Sequence, residues 1–442
     1  MLLALAGLST RPERAGITSL VRILDLRELA YRRLLHLFHT PALCLERLTE
    51  MWTRLALELF TPVMAGEYRV CLADGIKVAK EGKKMPAVRK LHQSGGSNTK
   101  PPYIMGHSFQ ALSLLVCGPT GAVAAVPLVA RIHEGLVFSN RDQRTLLDKM
   151  VTLLRSLTPL SRQPILLIAD AYYASRKVIL PLLDLGHQLI TRARRNTVAY
   201  YPAGQPRTPR RGRPRIYGKK VRLRDLVQDL SQFKTAPSPI DTDTNVRLKY
   251  RCVDLLWRPI GRLVRFVIVR HPQRGVIFLM ATDTTRDPLE IVMLYAHRFK
   301  IEIGFKQALH VLGSYAYHFW MKDMTPIRVR TGDQYLHRKS EAYRQQVRRK
   351  LRAYHLHVQL GCVAQGLLQH LALHHGRVVW SQFRSWLRTM NPSQPPSELV
   401  TAHALRDRLP DFLDELTRDA KTRKFLRRFR CPNRRARLKR AA

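Results

Sequence analysis

The chain has 442 residues, with 76 lysines and arginines against 32 aspartates and glutamates, so its formal net charge is +44 at pH 7. This charge excludes a compact protein that works without a polyanionic partner, because the basic groups repel one another, and it predicts nucleic acid as that partner. The six cysteines are scattered without a C-x-x-C pair, which argues against a zinc ribbon or disulfide scaffold and for a reducing compartment. A ribosomal or chromatin-type protein, or a solvated basic surface, is the alternative explanation of the charge.

The first part of the chain, residues 1–65, is predicted to form a helical module. Apolar residues recur at three- and four-residue spacing over 19–38 and again over 43–60, with arginines between them. Two roles fit this pattern equally well: a small DNA-binding module, or a helical cap on the domain that follows. The N-terminus lacks the basic region of a signal peptide, and its apolar run is too short for one.

Residues 66–194 are predicted to form the first part of a catalytic domain with strands and helices. Three strand-like runs are followed by a helix, a strand that ends at Asp170, another helix and a last strand. This order predicts an α/β fold, a mixed sheet with flanking helices.

An uncharged stretch, residues 111–130, is long enough to cross a membrane. The sequence Gly-Pro-Thr-Gly at 118–121 lies in its middle and indicates a turn. We therefore expect a β-hairpin buried in a core and no interaction with a membrane.

The rest of the chain divides into three segments by composition. Residues 195–286 are β-rich and open with a basic loop, which predicts an inserted β subdomain. Residues 287–390 hold a helix-like segment with Glu302 and further C-terminal helices. Residues 391–442 form a basic C-terminal tail, whose segment 425–440 we expect to lack a fixed structure until it contacts phosphate.

Three carboxylates in this acid-poor chain are candidate catalytic residues. Asp74 and Asp170 each follow an apolar strand-like run, and Glu302 lies on the later helix. Two aspartates at strand ends and a glutamate on a helix can converge on a pair of Mg²⁺ ions, and such a pair cuts or joins phosphodiesters. Each aspartate alone is more simply a turn or strand-to-helix residue. Together, in a basic protein, they indicate a metal site.

Two more polar residues share the helix with Glu302. Tyr295, Arg298 and Glu302 are spaced at i, i+3 and i+7, so all three fall on one face of a continuous helix. An apolar stripe occupies another face: Leu294, Ile301, Phe305, Ala308 and Leu312. The alternative interpretation is a solvent-exposed polar face with an Arg–Glu pair.

These residues match a known family. The pattern Y-x-x-R-x-x-x-E at 295–302 resembles the C-terminal signature of DDE transposases of insertion sequences, in particular the insertion-sequence-four group. The segments DGIKV at Asp74 and LLIADAYYAS around Asp170 resemble the first and second acidic motifs of that family. The resemblance covers residues 69–320 and implies a ribonuclease-H-like fold with a β-rich insertion before the glutamate.

The resemblance also implies a chemistry and partners. Asp74, Asp170 and Glu302 would bind two Mg²⁺ or Mn²⁺ ions, while Tyr295 and Arg298 would hold DNA near the scissile phosphate. Family members nick the transposon end, commonly resolve it through a hairpin, and join the 3′-hydroxyl to target DNA. The expected partners are transposon-end and target DNA, bound by a homodimer in a bacterial cytoplasm at the nucleoid.

The chain departs from the family at one position. The signature continues with a lysine that would fall at 309, where this chain has Leu309. Lys306 lies one helical turn after Glu302, where it either takes over a phosphate contact or pairs with Glu302.

The basic loop of the insertion contains the sequence RGRPR. Its arginines, Arg211, Arg213 and Arg215, resemble the core of an AT-hook and would lie along a narrow minor groove. A generic phosphate-binding loop is the alternative interpretation.

Three functional hypotheses remain. The first is an active transposase, and the second is a ribonuclease-H-like nuclease that uses the same metals without joining strands. The third is an inactive or domesticated DNA-binding protein derived from a transposase. The intact set of carboxylates disfavours the third hypothesis, while Leu309 keeps it open.

Overall fold

The computed structural model describes residues 1–14, 16–93, 101–204 and 215–430. The chain forms two units, each assembled from segments that are distant in sequence. The first unit consists of Met1–Pro62, Gly75–Gln143 and Glu302–Ala442, and the second consists of Val63–Asp74 and Arg144–Ile301.

Helices and strands occur throughout the described residues. The helices are α1 (Leu2–Thr10), α2 (Gly16–Ile23), α3 (Leu29–His39), α4 (Leu45–Leu59), α5 (Leu146–Arg155), α6 (Arg176–Asp184), α7 (Pro288–Ala296), α8 (Phe299–Gln307), α9 (Glu341–His374), α10 (Gly376–Gln382), α11 (Glu398–Leu416) and α12 (Ala420–Phe429). The strands are β1 (Thr61–Pro62), β2 (Met64–Ala65), β3 (Tyr68–Ala79), β4 (Arg89–His92), β5 (Tyr103–Cys117), β6 (Val123–Ile132), β7 (Leu136–Val137), β8 (Ile165–Ala169), β9 (Gln188–Arg192), β10 (Val198–Pro202), β11 (Tyr217–Arg222), β12 (Lys234–Pro237), β13 (Arg247–Trp257), β14 (Arg262–His271), β15 (Gly275–Ala281) and β16 (Gln334–Tyr335). This composition confirms the predicted α/β class with a mixed sheet, consistent with a ribonuclease-H-like fold.

The first unit is built around the long helix α9. Helices α1, α3 and α4 pack against α9, which in turn packs against β6. The contact between α4 and α9 is close, because a Cβ atom at Gly366 would lie 2.3 Å from the Trp52 ring. The Trp52 indole N–H also donates to the Pro127 carbonyl at 2.8 Å. The predicted N-terminal helices are therefore present and bury one face in the core of their own unit, together with α1, which the sequence analysis did not predict.

The uncharged stretch forms the predicted hairpin. Strands β5 and β6 pair antiparallel from Ala111 opposite Ala130 to Cys117 opposite Val123, with the turn at 118–121. Gly121 closes that turn with a φ of +81°, a conformation that favours glycine. No helix in the described part of the chain is long and apolar enough to cross a membrane.

The second unit contains the parallel strands. The first half of β3 pairs parallel with β8, and β8 pairs parallel with β9. Antiparallel strands of the predicted insertion extend this sheet in the order β15, β14, β13, β10 and β11. Thr145 and Ser175 cap the N-termini of α5 and α6 with their side-chain oxygens, so these two helices begin at Leu146 and Arg176.

One prediction about Asp74 was wrong. Strand β3 does not end there but continues to Ala79. The reason is a period of two beyond Gly75, in which exposed Lys77 alternates with half-buried Ile76 and buried Val78.

The helix predicted around Glu302 is interrupted. Arg298 lies in a turn between α7 and α8, where the Arg298 N–H donates to the Tyr295 carbonyl and the Ile301 N–H donates to the Arg298 carbonyl. These bonds to residues three positions earlier tighten the backbone. The angles of an uninterrupted helix therefore do not apply to residues 295–302.

The C-terminal segment is more ordered than predicted. Helix α12 buries Leu426 and Phe429, three residues apart, and the Arg27 N–H donates to the Phe429 carbonyl at 2.6 Å. The prediction that residues 425–430 lack a fixed structure was therefore wrong. Residues 431–442 lie outside the described part of the chain.

Candidate active site

The two aspartates lie side by side on neighbouring parallel strands. Ala73 of β3 is in register with Ala169 of β8, and Asp74 and Asp170 are the next residues on the two strands. Adjacent strands are about 4.8 Å apart, so the two carboxylates leave the backbone at the same level of the sheet. The structure thus brings together two of the three predicted catalytic carboxylates, both within the second unit.

The backbone around Asp170 is held from two sides. Asp170 Oδ1 accepts a hydrogen bond from the Tyr172 N–H at 2.9 Å and so caps the short 3₁₀ turn that follows β8. The hydroxyl of Thr191, which is fully buried on β9, donates to the Asp170 carbonyl at 2.6 Å. Both contacts hold the end of β8 in place, which is a requirement for a pre-organised carboxylate.

The carboxylate of Asp74 forms an ion pair with an arginine. Arg298 Nη1 donates to Asp74 Oδ2 at 2.7 Å, and the two side chains are 20% and 16% exposed. The ion pair is therefore only partly screened by solvent. Arg298, which was predicted to bind phosphate, thus directly contacts Asp74, the first of the three predicted catalytic carboxylates.

Tyr295, the other residue predicted to hold DNA near the scissile phosphate, is affected by the charges of Arg298 and Asp170. Burial raises the pKa of the Tyr295 hydroxyl, the charges of Arg298 and Arg192 oppose that shift, and the charge of Asp170 adds to it. Tyr295 therefore lies within electrostatic reach of an acidic residue and two arginines of the second unit.

Arg192 was not predicted from the sequence. Ala169 of β8 is in register with Thr191 of β9, so Asp170 and Arg192 follow as neighbours, and Arg192 is exposed. Its only signal in the sequence is a position at the end of a predicted strand. Recognising it requires knowledge of which strands pair.

Glu302 is positioned by α8 in the first unit. It lies in the first turn of that helix and is half-buried, and Lys306 is exposed one turn later. Leu309 lies in a π-helical turn, Ala308–Leu312, and packs against the hydrophobic core. A lysine at this position would have to desolvate its charge or leave the core, which accounts physically for the leucine.

The carboxylate oxygens of Asp74 and Asp170 are suitable ligands for a hard divalent cation, but they are only part of the predicted set. Asp74 and Asp170 leave neighbouring strands at the same level, and carboxylates in such an arrangement repel each other unless a positive charge lies nearby. Carboxylate oxygens are the ligands of Mg²⁺ and Mn²⁺. Within the ranges that the structure describes, no group of three or more His, Cys, Asp or Glu side chains is arranged to hold a metal ion. The set of three carboxylates with two ions therefore stays a prediction.

A cavity of about 580 Å³ opens beside Asp170 in the second unit. Residues that directly follow Asp170 and Arg192 line it, together with side chains of the insertion. Its aromatic and basic lining consists of Tyr172, Tyr200, Trp257, Arg194 and Arg258. Aromatic faces and guanidinium groups are the surfaces on which nucleic acids stack and pair their charge.

The basic loop of the insertion is only partly described. Arg215 is exposed at its end. Arg211 and Arg213, the other two arginines of the RGRPR sequence, lie outside the described residues, so their predicted contact with DNA stays a prediction.

Comparison with known proteins shows to which protein family the chain is similar. The family model of the DDE superfamily endonuclease matches residues 1–252, which is more than half of the chain. The match includes Asp74 and Asp170 and ends before Arg298 and Glu302. No curated protein matches the chain.

Proposed function

The chain belongs to the DDE superfamily endonucleases, and we propose that within this family it is a transposase that cuts the ends of an insertion sequence and joins them to target DNA. The observation that carries this proposal is the pair Asp74 and Asp170, which directly follow the in-register residues Ala73 and Ala169 of two parallel strands, with Arg298 bound to Asp74. The Y-x-x-R-x-x-x-E pattern supports the insertion-sequence-four group.

Asp74, Asp170 and Glu302 would hold the divalent cations with which this family works, in this proposal two Mg²⁺ or Mn²⁺ ions. When bound, such ions activate water or a DNA 3′-hydroxyl and stabilise the leaving oxygen. The Tyr172 N–H orients the Asp170 carboxylate and the Thr191 hydroxyl holds the Asp170 carbonyl, so that the residue is pre-organised at the moment of reaction.

The neighbouring basic residues would bind DNA. Arg298 suits a phosphate because its planar guanidinium can donate two parallel hydrogen bonds, and the Tyr295 hydroxyl stays protonated and available as a donor. Lys306 and Arg192 are exposed and add positive charge. The aromatic and basic cavity beside Asp170 supports DNA as the substrate.

Two larger features complete the proposal. The basic loop with Arg211, Arg213 and Arg215 would contact the minor groove or the phosphates of the same DNA. Joining two ends of one element requires both to be held together, so we propose a homodimer in the DNA complex.

One observation favours a second candidate, an inactive DNA-binding protein derived from a transposase. Leu309, at the position of the family's lysine, packs into the core and so cannot serve as a phosphate contact. Loss of that lysine would weaken the hold on the DNA end but would leave the carboxylates unchanged.

The test is a strand-transfer assay with Mg²⁺ and duplexes taken from the repeats that flank the gene. Wild type is compared with Asp74→Ala and Glu302→Ala, and Asp225→Ala removes an exposed acid of the second unit as a control. We expect joined product from wild type and the control and none from the other two. Equal product from all four proteins would exclude the proposed site. Cleavage without joining would indicate a nuclease, and binding without cleavage would indicate the second candidate.

A further inference from the structure

Arg11, the residue after α1, is a buried arginine that donates to uncharged oxygens. It is 3% exposed. Its Nε and Nη2 donate to the carbonyls of Leu312 at 2.9 Å and Gly313 at 3.0 Å. Its Nη1 donates to the Gly16 carbonyl at 2.8 Å and to Ser19 Oγ at 3.0 Å. Burial lowers the pKa of Arg11 to about 10, so the guanidinium is still charged at neutral pH.

The carbonyls of Leu312 and Gly313 lie at the C-terminal end of the helical segment that begins with α8. That segment continues through the π-helical turn to Leu312, and Gly313 ends it with a φ of +62°. The last carbonyls of a helix have no partner within it and favour a positive charge. A Cβ atom at Gly313 would lie 2.9 Å from Arg14 Cβ, so residues 11–14 approach this helix end closely.

A second buried side chain holds the beginning of the same segment. Gln365 of α9 is 2% exposed and donates to the Gly304 carbonyl at 2.9 Å, two residues after Glu302. Beyond the segment, the buried ammonium of Lys80 donates to the Tyr315 carbonyl. Helix α8 and its extension are thus tethered at the start and at the end by side chains of the first unit.

We propose that Arg11 is a positioning residue for Glu302. By fixing where the helical segment ends, Arg11 sets the axial position of the helix that carries Glu302 in its first turn, and Gln365 assists it. This inference rests on the proposed catalytic function of Glu302. It assigns the N-terminal helices a structural role within the first unit, as support for the helical segment that carries Glu302.

The first test separates turnover from binding. Arg11→Met removes all donors, Arg11→Lys keeps the charge and part of the bonding, and Arg33→Met removes an exposed arginine of α3 as the matched control. We expect Arg11→Met to lower kcat about 10- to 100-fold, as displaced supporting residues do. Its Kd for a duplex carrying the element's end should stay within about twofold. Arg11→Lys should recover part of kcat, and the control should keep all of it.

The second test does not depend on activity. Hydrogen exchange of the backbone amides in residues 302–315 should be about tenfold faster or more in Arg11→Met than in wild type, whereas β8 and β9 should be unchanged. If wild type lacks activity, the proposed function fails while this readout still decides on the tether. Should Arg11→Met not fold, the same comparison is made with Arg11→Lys. Unchanged exchange, or a loss of kcat that is matched by an equal loss of DNA affinity, would overturn the proposal.

Discussion

Arg298 Nη1 lies 2.7 Å from Asp74 Oδ2, so a residue suited to phosphate neutralises a carboxylate suited to a metal. In the proposed reaction the Arg298 guanidinium also binds a phosphate and the Asp74 carboxylate also binds a metal ion. Each of these contacts competes with the ion pair between the two residues. A DNA phosphate would compete for the guanidinium, and a divalent cation would compete for the carboxylate. Substrate and metal should therefore assist each other's binding.

Removing the arginine should strengthen metal binding in the absence of DNA. We expect Arg298→Gln to bind Mn²⁺ more tightly than wild type, because the guanidinium of Arg298 no longer competes with the metal for the Asp74 carboxylate. The ion pair is partly exposed and contributes about 1 kcal/mol, which corresponds to about fivefold in affinity. Titration calorimetry with Mn²⁺ measures the difference.

Arg247→Gln, an exposed change at the start of β13, serves as the control for net charge in that experiment. It should leave Mn²⁺ affinity unchanged. Weaker or equal Mn²⁺ binding by Arg298→Gln would contradict the competition between arginine and metal.

The hydroxyl of Thr191 should stabilise the strand that ends at Asp170. Thr191→Val keeps the shape of the side chain but removes the hydroxyl that donates to the Asp170 carbonyl at 2.6 Å, so that this carbonyl keeps only the Tyr173 N–H at 3.1 Å of these two donors. We expect the free energy of unfolding to fall by about 1 kcal/mol, the net contribution of one hydrogen bond. Urea denaturation measures the loss, and Thr191→Ser, which keeps the hydroxyl, should lose less. A valine variant as stable as wild type would show that this hydrogen bond has no net effect.

Lys306 should contribute one phosphate contact. The side chain is exposed on α8, so Lys306→Gln should weaken DNA binding and reduce the slope of log K against log salt by about 0.9. Fluorescence anisotropy at several salt concentrations gives the slope. Lys249→Gln, which removes an exposed lysine of β13, should leave the slope unchanged if that surface is away from the DNA. An unaltered slope in Lys306→Gln would favour the alternative role, a pair with Glu302.

Two buried histidines should make the fold sensitive to acid. Burial lowers the pKa of His107 and of His357 from 6.5 to about 3. The unfolded chain therefore binds protons between pH 6.5 and pH 3 that the folded chain does not, so stability is complete above pH 6.5 and falls as the pH decreases. Each histidine contributes a slope of about 1.4 kcal/mol per pH unit well below pH 6.5.

Chemical denaturation at pH 7.5, 6 and 5 tests that slope. His357→Asn keeps a donor for the Ser314 carbonyl, which His357 Nδ1 contacts at 2.9 Å, but removes the titrating ring. The variant should lose less stability than wild type between pH 7.5 and pH 5. The exposed His36→Asn should behave like wild type, and parallel curves for all three proteins would count against the buried histidines as the cause.

Local patterns predicted those elements whose residues carry their own signals. The β5–β6 hairpin follows from two uncharged runs around a Gly-Pro turn, and helices were predicted on both sides of the strand that ends before Asp170, where α5 and α6 lie. Helix α11 lies within residues 391–442, which were predicted to be a basic tail, and it contains Pro410, a residue that usually interrupts a helix. Val400 and Ala404 of α11 are buried, and burial is a property of the tertiary fold.

The candidate site shows the same division. Asp74 and Asp170 were recognisable because each follows an apolar run of residues, yet their adjacency depends on the parallel register of β3 and β8. Arg192 and the Asp74–Arg298 ion pair depend on contacts between distant segments, which no local pattern encodes. The position of Arg298 in a turn was likewise hidden, because the interrupted helix has the same residues as a continuous one.

The close approach of Gly366 to Trp52 has a consequence for biosynthesis. A ribosome releases α4 long before α9, at roughly 5–20 residues per second. Until α9 emerges, the N-terminal helices lack the surface that covers their apolar faces. The N-terminal helices of the nascent chain can therefore complete their packing only after α9, in the last third of the chain, has been synthesised. A nonsense mutation ahead of α9 should yield an aggregating fragment rather than a smaller working protein.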